Sequence, residues 1–237
     1  MRVPDLGTML VVGAHPDDET FTTGGLMARA VAEGRRVVCV TATRGEEGSL
    51  DPERWPPAEM GTVREAELDA CLAVLGVNEH HWLDYHDGRC AQADHDEAVA
   101  KVRAIMREVQ PDSVLVFGPD GMTGHPDHKT VSAWTTAAFT DVARPGACLY
   151  YATQTPAWVE RFLPLVQRFN VFPEGPPDTP VEDLAIHFPL PPDLLGTKFA
   201  ALSEQRSQIE HMIAAFGGEA FELALAEESF VLGGRKP

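Results

Sequence analysis

Four acid–base groups crowd into five residues where an apolar run stops. The segment LVVGAHPDDETFTTGG (10–25) passes from a buried-strand pattern straight into His15, Asp17, Asp18 and Glu19. Neighbouring carboxylates repel, and a carboxylate drawn toward a core loses hydration unless a partner compensates. Candidate partners lie more than a hundred residues on. TGHPDHKT (123–130) carries His125 and His128 three apart at the start of a helical pattern, so both rings share one face. His15 and Asp18 repeat that spacing. Two or three imidazoles with a carboxylate form a divalent-metal set, and the ion's charge favours ionised acids beside it. Taken singly, a histidine here reads as a helix cap or loop hydrogen bonder, and His80, His81, His86, His95, His187 and His211 keep that reading. The doubled HPD pattern after two apolar runs is what singles out His15 and His128.

These groups need elements to hold them. MLVVGA (9–14), RVVCVTA (36–42), SVLVFG (113–118) and CLYYAT (148–153) are apolar throughout and of strand length. GLMARAVAEG (25–34), VREAELDACLAVLGV (63–77), EAVAKVRAIMREV (97–109) and residues 127–142 have helical spacing between them, and the pattern over 193–216 predicts one long helix. HHWL (80–83), LAIHF (184–188) and EESFVL (227–232) are weaker strands. Residues 43–61 read as a loop, and PEGPPDTP (173–180) excludes regular structure. Continuous apolar strands joined by helices predict an α/β fold, a Rossmann-like, mostly parallel sheet with helices on both faces and its active site at the carboxyl ends of the strands. The chain is expected to be one domain over 1–237, with 154–183 as a substrate-side loop insertion. The first strand–helix turn lacks the G-x-G-x-x-G of a dinucleotide site, and a phosphate there would meet three acids.

The chain has 237 residues and a formal net charge of −17. That balance argues against nucleic acid and anionic membrane as partners, both of which need a positive surface. Cys39, Cys71, Cys90 and Cys148 form no C-x-x-C pair and read as buried free thiols of a reducing compartment. No run reaches membrane-span length, and Asp5 sits where a secretory leader would be basic. The expectation is a cytoplasmic protein; homo-oligomer formation stays open. Trp55, Trp82 and Trp158 read as core or rim packing, with stacking on a sugar ring as the alternative.

AHPDDE (14–19) together with GHPDH (124–128) resembles the LmbE-like, or PIG-L, family of metal-dependent N-deacetylases. TRGEEGS (43–49), REAE (64–67), DYHDG (84–88) and KFAALSEQRSQ (198–208) extend the resemblance over most of the chain. The resemblance implies a Rossmann-like fold that removes acetyl groups from amino sugars, with Zn2+ as the usual cofactor and Fe2+ as the alternative. It implies His15, Asp18 and His128 as metal ligands, Asp17 as general base, and His125 as the group facing the oxyanion. It places Arg64 and Asp87 on the sugar and Glu47 nearby. Thr123 stands where some members have a tyrosine, and Gln205 where many have a histidine. The expected partner is a small N-acetylated amino-sugar substrate. The alternatives are an amidase acting on a larger thiol or sugar conjugate, a non-catalytic metal-dependent sugar-binding protein, and a mononuclear Fe(II) oxygenase.

Overall fold

Apolar runs without alternation require cover on both faces, and the fold supplies it. In the computed structural model, which describes residues 3–169, 171–173 and 175–237, seven strands form one sheet: β1 (Met9–Gly13), β2 (Val37–Thr43), β3 (Glu79–Tyr85), β4 (Ser113–Phe117), β5 (Cys148–Thr153), β6 (Ile186–Pro189) and β7 (Glu227–Arg235). Their order is β3-β2-β1-β4-β5-β7-β6. The first five are parallel, and β7 runs antiparallel to both β5 and β6. Every residue of β1, β2 and β4 is buried. Helices α1 (Asp18–Ala32), α2 (Met60–Leu75), α3 (His95–Val109), α4 (Pro126–Val142), α5 (Pro156–Val166), α6 (Pro192–Glu204), α7 (Arg206–Phe216) and α8 (Gly218–Ala224) provide the cover. No helix among the described residues is long and apolar enough to cross a membrane. The four cysteines are free and buried.

This strand order decides where the site lies. The chain leaves β1 toward β2 and β3, then returns to the other side of β1 as β4. The carboxyl ends of β1 and β4 are therefore neighbours that face a topological switch point, where open α/β sheets leave a crevice. The two HPD segments follow these two strands.

Three expectations need correction. Helix α1 begins at Asp18, not Gly25. The pair Gly24–Gly25 resembles a breaker but answers a close approach. A Cβ on Gly24 would lie 3.1 Å from Lys198 Cγ, and one on Gly25 would collide with Leu190. Over this bare backbone lies a fully buried ion pair, Lys198–Glu228 at 2.8 Å, whose carboxylate also accepts the N–H groups of Gly25 (2.7 Å) and Leu26 (2.8 Å). Breaking a buried pair strands a charge, so Lys198→Met is expected to lower unfolding free energy by about 3–5 kcal/mol, measured by denaturant titration. A loss below 1 kcal/mol would show the pair to be dispensable.

The long helix over 193–216 breaks at Gln205 (φ −81°, ψ 52°) into α6 and α7. Glu67 takes over the freed groups, accepting Ser207 N–H (2.8 Å) and Ser207 Oγ–H (2.6 Å), an acid placed at a helix start. The stretch 154–183 is not all loop. Thr155 caps α5 by accepting Trp158 N–H (3.1 Å), and Pro156 occupies its first turn. Helix α8, rich in the helix formers Glu, Ala and Leu, falls between the elements expected from the sequence.

Candidate metal centre

His15, Asp18 and His128 converge from two strand ends. His15 Nδ1 lies 3.2 Å from His128 Nε2 and 3.6 Å from Asp18 Oδ2, and His128 Nε2 lies 3.3 Å from Asp18 Oδ1. Four ligands arranged tetrahedrally at zinc-like bond lengths stand about 3.3–3.4 Å apart. The three side chains fit a divalent ion on this measure, and all three are buried.

Each ring is fixed so that the required nitrogen faces inward. His128 Nδ1 lies 3.0 Å from Gly121 O and 3.1 Å from Thr123 Oγ1, and the ring stacks on Phe117 at 4.0 Å and 2°. With Nδ1–H donating to the carbonyl, Nε2 keeps its lone pair for the centre. His15 does the reverse. Its Nε2 lies 3.0 Å from Asp87 Oδ1 and 3.4 Å from Asp127 Oδ2, which leaves Nδ1 for the centre. Such outer carboxylates set the tautomer and basicity of a ligating histidine. His15 Nε2, Asp87 and Asp127 also gather potential ligand atoms. But Asp127 is fully buried and already accepts Gly88 N–H (2.7 Å) and Cys90 N–H (3.1 Å), which suits an orienting acid better than a second ion. Asp127→Asn is expected to weaken metal affinity about 10–100-fold in a competition titration with a chromophoric chelator. An unchanged affinity would remove Asp127 from this role.

The charges agree with a cation-seeking site. Burial works against a charged His15, yet the carboxylates of Asp127, Asp18 and Asp87 outweigh it and hold the ring well above its ordinary value. Burial likewise opposes ionisation of Asp18, but His128, His15 and the amides of Ala14 (2.9 Å) and His15 (2.8 Å) keep the acid below the usual carboxylate range.

Asp17 stands apart from the ligand atoms. Its backbone has φ 101° and ψ −32°, a left-handed value that costs a non-glycine residue energy. Two contacts hold it there. Its N–H donates to Glu19 Oε2 (3.0 Å), and Arg64 Nη2 lies 3.1 Å from its Oδ2. Burial pushes Asp17 up to about 8, against the pull of Arg64 and with help from Asp18 and Glu19. Glu19 rises to about 7, chiefly through burial.

His125 is the N-cap of α4. Its Nδ1 accepts Asp127 N–H (3.1 Å). A nitrogen that accepts cannot also hold a proton, so the neutral ring carries its proton on Nε2. Burial, then the charge of His15, lowers its pKa and keeps it neutral. The helix-cap reading of His125 is therefore met. Its ring centroid lies 4.8 Å from that of His15, edge-on, at the mouth of the cleft.

Three expected substrate residues have protein partners. Arg64 is buried and serves Asp17, Pro16 O and Gly45 O (3.3 Å). Asp87 is buried, orients His15 and accepts Glu47 N–H (3.1 Å). The Glu47 carboxylate is exposed on the rim. Thr123 supports the His128 ring and also lines the cleft. Gln205 is fully buried, with Nε2 3.4 Å from Glu19 Oε1. Trp158 is core and donates to Ala224 O (2.8 Å), Trp55 lines the cleft, and Trp82 packs beneath the Arg44 guanidinium at 4.7 Å. Asp127 was the residue sequence reasoning passed over, although the second HPD repeat itself marks it.

A mostly parallel α/β sheet with a His/Asp metal-type cluster at its switch point, and a separate acid beside the cluster, defines the class: an α/β protein with a candidate divalent-metal centre. The model of the family described as PIG-L, GlcNAc-PI de-N-acetylase, matches residues 10–139, and the chain belongs to that family. A 1D-myo-inositol 2-acetamido-2-deoxy-alpha-D-glucopyranoside deacetylase of Mycobacteroides abscessus is 31% identical over 241 residues, covering 93% of this chain and 83% of that one. With two Rhodococcus proteins of the same name the match spans about half of their length (52%). The N,N'-diacetylchitobiose deacetylase from Pyrococcus horikoshii has a TM-score of 0.67 at 21% identity, covering 96% of this chain and 84% of that one. GalB, the 4-carboxy-2-hydroxymuconate hydratase from Pseudomonas putida KT2440, scores 0.65 at 18% identity over 98% of both chains. A hydratase and a deacetylase share this fold, so the fold alone does not choose the reaction.

Proposed function

We propose that this protein is a zinc-dependent N-deacetylase that removes the acetyl group from an amino-sugar-containing small metabolite. The observation that carries this reading is the separation of roles: two histidines and one carboxylate converge, and a second acid of the first turn, Asp17, is held beside them by Arg64 without contributing to their set of close contacts. A pure binding site has no need of that acid.

His15 Nδ1, Asp18 Oδ1 and His128 Nε2 would hold the ion, which when bound acidifies a water and polarises an acetyl carbonyl. Asp17 accepts the proton of the attacking water, and Arg64 keeps its carboxylate aimed there. His125, neutral and protonated on Nε2, donates to the oxygen that gains charge as the amide carbon becomes tetrahedral. The proton held by Asp17 is then returned to the leaving nitrogen, and C–N cleavage gives acetate and the free amine. Asp87 and Asp127 keep His15 in the tautomer that the centre needs.

The test is acetate release from a panel of N-acetylated amino-sugar conjugates, with and without a chelator. Turnover that vanishes on chelation and returns with zinc is expected. Metal binding without acetate release from any member would favour the sugar-binding alternative. Release of a larger acyl fragment in place of acetate would favour the amidase. Restoration by Fe(II) alone would replace zinc.

A further inference from the structure

Glu19 is the acid of the first turn that the mechanism leaves idle, and it is 2% exposed. It is the second residue of α1 and reaches back over the helix start, where its Oε2 accepts the N–H of Asp17 (3.0 Å). That contact fixes the backbone end of the left-handed turn, while Arg64 holds the carboxylate end. A strained φ persists only where its neighbours over-determine it, so the aim of Asp17 depends on what holds the Glu19 carboxylate. The other oxygen, Oε1, accepts Thr20 Oγ1–H (2.6 Å), Gln205 Nε2–H (3.4 Å) and Cys71 Sγ–H (3.8 Å). Thr20 rides on α1 with Glu19. Gln205 arrives from 186 positions away, at the break between α6 and α7.

The break itself does not need this side chain. The main-chain N–H of Gln205 donates to Leu202 O (2.9 Å), and its carbonyl accepts from Gln208 and Ile209 (3.0 Å each), so the backbone alone closes α6 and opens α7. The amide is wholly buried. Its N–H end faces the Glu19 carboxylate, and its Oε1 has no hydrogen-bond partner among the described residues. Turned over, the amide would set its oxygen against a carboxylate, so Glu19 fixes this orientation and leaves the other end unpaired. A buried acceptor without a partner lowers stability, and an apolar side chain of the same length would avoid that cost. Stability therefore does not account for Gln205, and a local rule broken in this way marks a functional position. We infer that Gln205 is a positioning residue for the reaction: through Glu19 it braces the strained backbone that aims Asp17 at the attacking water. The inference rests on the deacetylase reading above, which makes Asp17 the base. A brace on the base governs proton removal and not substrate binding, so its loss falls on kcat rather than KM.

The metal-loaded full chain is compared with Gln205→Met, which keeps the length and loses the N–H, and with Gln205→His, which keeps an N–H. Acetate release from N-acetylglucosamine and its methyl glycosides gives kcat and KM, and NMR gives the exchange rate of the Asp17 amide. In Gln205→Met that amide is expected to exchange faster and kcat to fall about 10–100-fold, with KM, metal content and the urea midpoint nearly unchanged. Gln205→His is expected to recover most of kcat. Ser207→Ala loosens the same break at Glu67, away from Glu19, and is expected to lower the midpoint and spare kcat. An unchanged Asp17 exchange rate or an unchanged kcat in Gln205→Met overturns the brace, as does a kcat loss that Ser207→Ala matches or that comes with loss of metal. A wild-type protein that releases no acetate, while its Asp17 amide loosens in Gln205→Met, would uphold the brace and overturn the deacetylase reading.

Discussion

Replacing Asp17 by Asn is expected to lower kcat/KM by about 10²–10⁴-fold while the protein keeps its divalent metal. The substitution preserves shape, and Asn tolerates the positive φ of 101° better than most residues. Its amide oxygen can still accept from Arg64, so the turn survives and only the proton acceptor is lost. None of the converging ligand-type atoms belongs to Asp17, which is why metal content should hold. The pH dependence carries a second signature. A base works only when ionised, so kcat/KM falls as pH drops below its pKa. Burial lifts Asp17 to about 8, while positive charge at Arg64 and His15 draws it down; a divalent ion beside it acts in the same downward sense. The acidic limb of the profile should therefore lie below that value and disappear in Asp17→Asn. Elemental analysis showing the same metal loss in Asp17→Asn as in a ligand variant would refute the separation of roles.

His128→Ala is expected to abolish both metal retention and turnover, exceeding the about 10–100-fold affinity loss of an outer-shell change. The ring is stacked on Phe117 and tied at Nδ1, which fixes its Nε2 toward the centre, while the neighbouring His125 is engaged at Nδ1 by the cap of α4. The readout is metal-linked stability. With metal at about 100 times its Kd, the wild-type protein gains about 2.7 kcal/mol against unfolding, and His128→Ala should gain nothing. A variant that retains this metal-dependent stabilisation would remove His128 from the ligand set.

The sheet was legible because a strand covered on both faces must be apolar along its whole length, as β1, β2 and β4 are. The cluster was legible because its groups sit where those strands stop. What escaped depends on contacts between distant segments. Gly24–Gly25 reads as a helix breaker until Lys198 and Leu190 are known to press on it. The break at Gln205 needs Glu67, 140 positions from Ser207, to supply the new acceptors. Arg64 and Asp87 carried the expected polarity and line the cleft, but only the folded chain reveals that Arg64 on α2 reaches Asp17 and that Asp87 reaches His15. The proton position on His125 follows from a single backbone N–H that only the folded cap reveals.

The clasp between Glu228 and the start of α1 has a consequence for how the molecule is made. On the ribosome, five parallel strands have emerged once Thr153 is out, but β5 still presents a bare edge, and the amides of Gly25 and Leu26 still lack the acid they answer to. Domains mature as units during synthesis, and unpaired edges are where nascent chains go astray. Here the strand that closes the edge and the carboxylate that locks the amides arrive together on β7, after all five parallel strands, so one segment completes both.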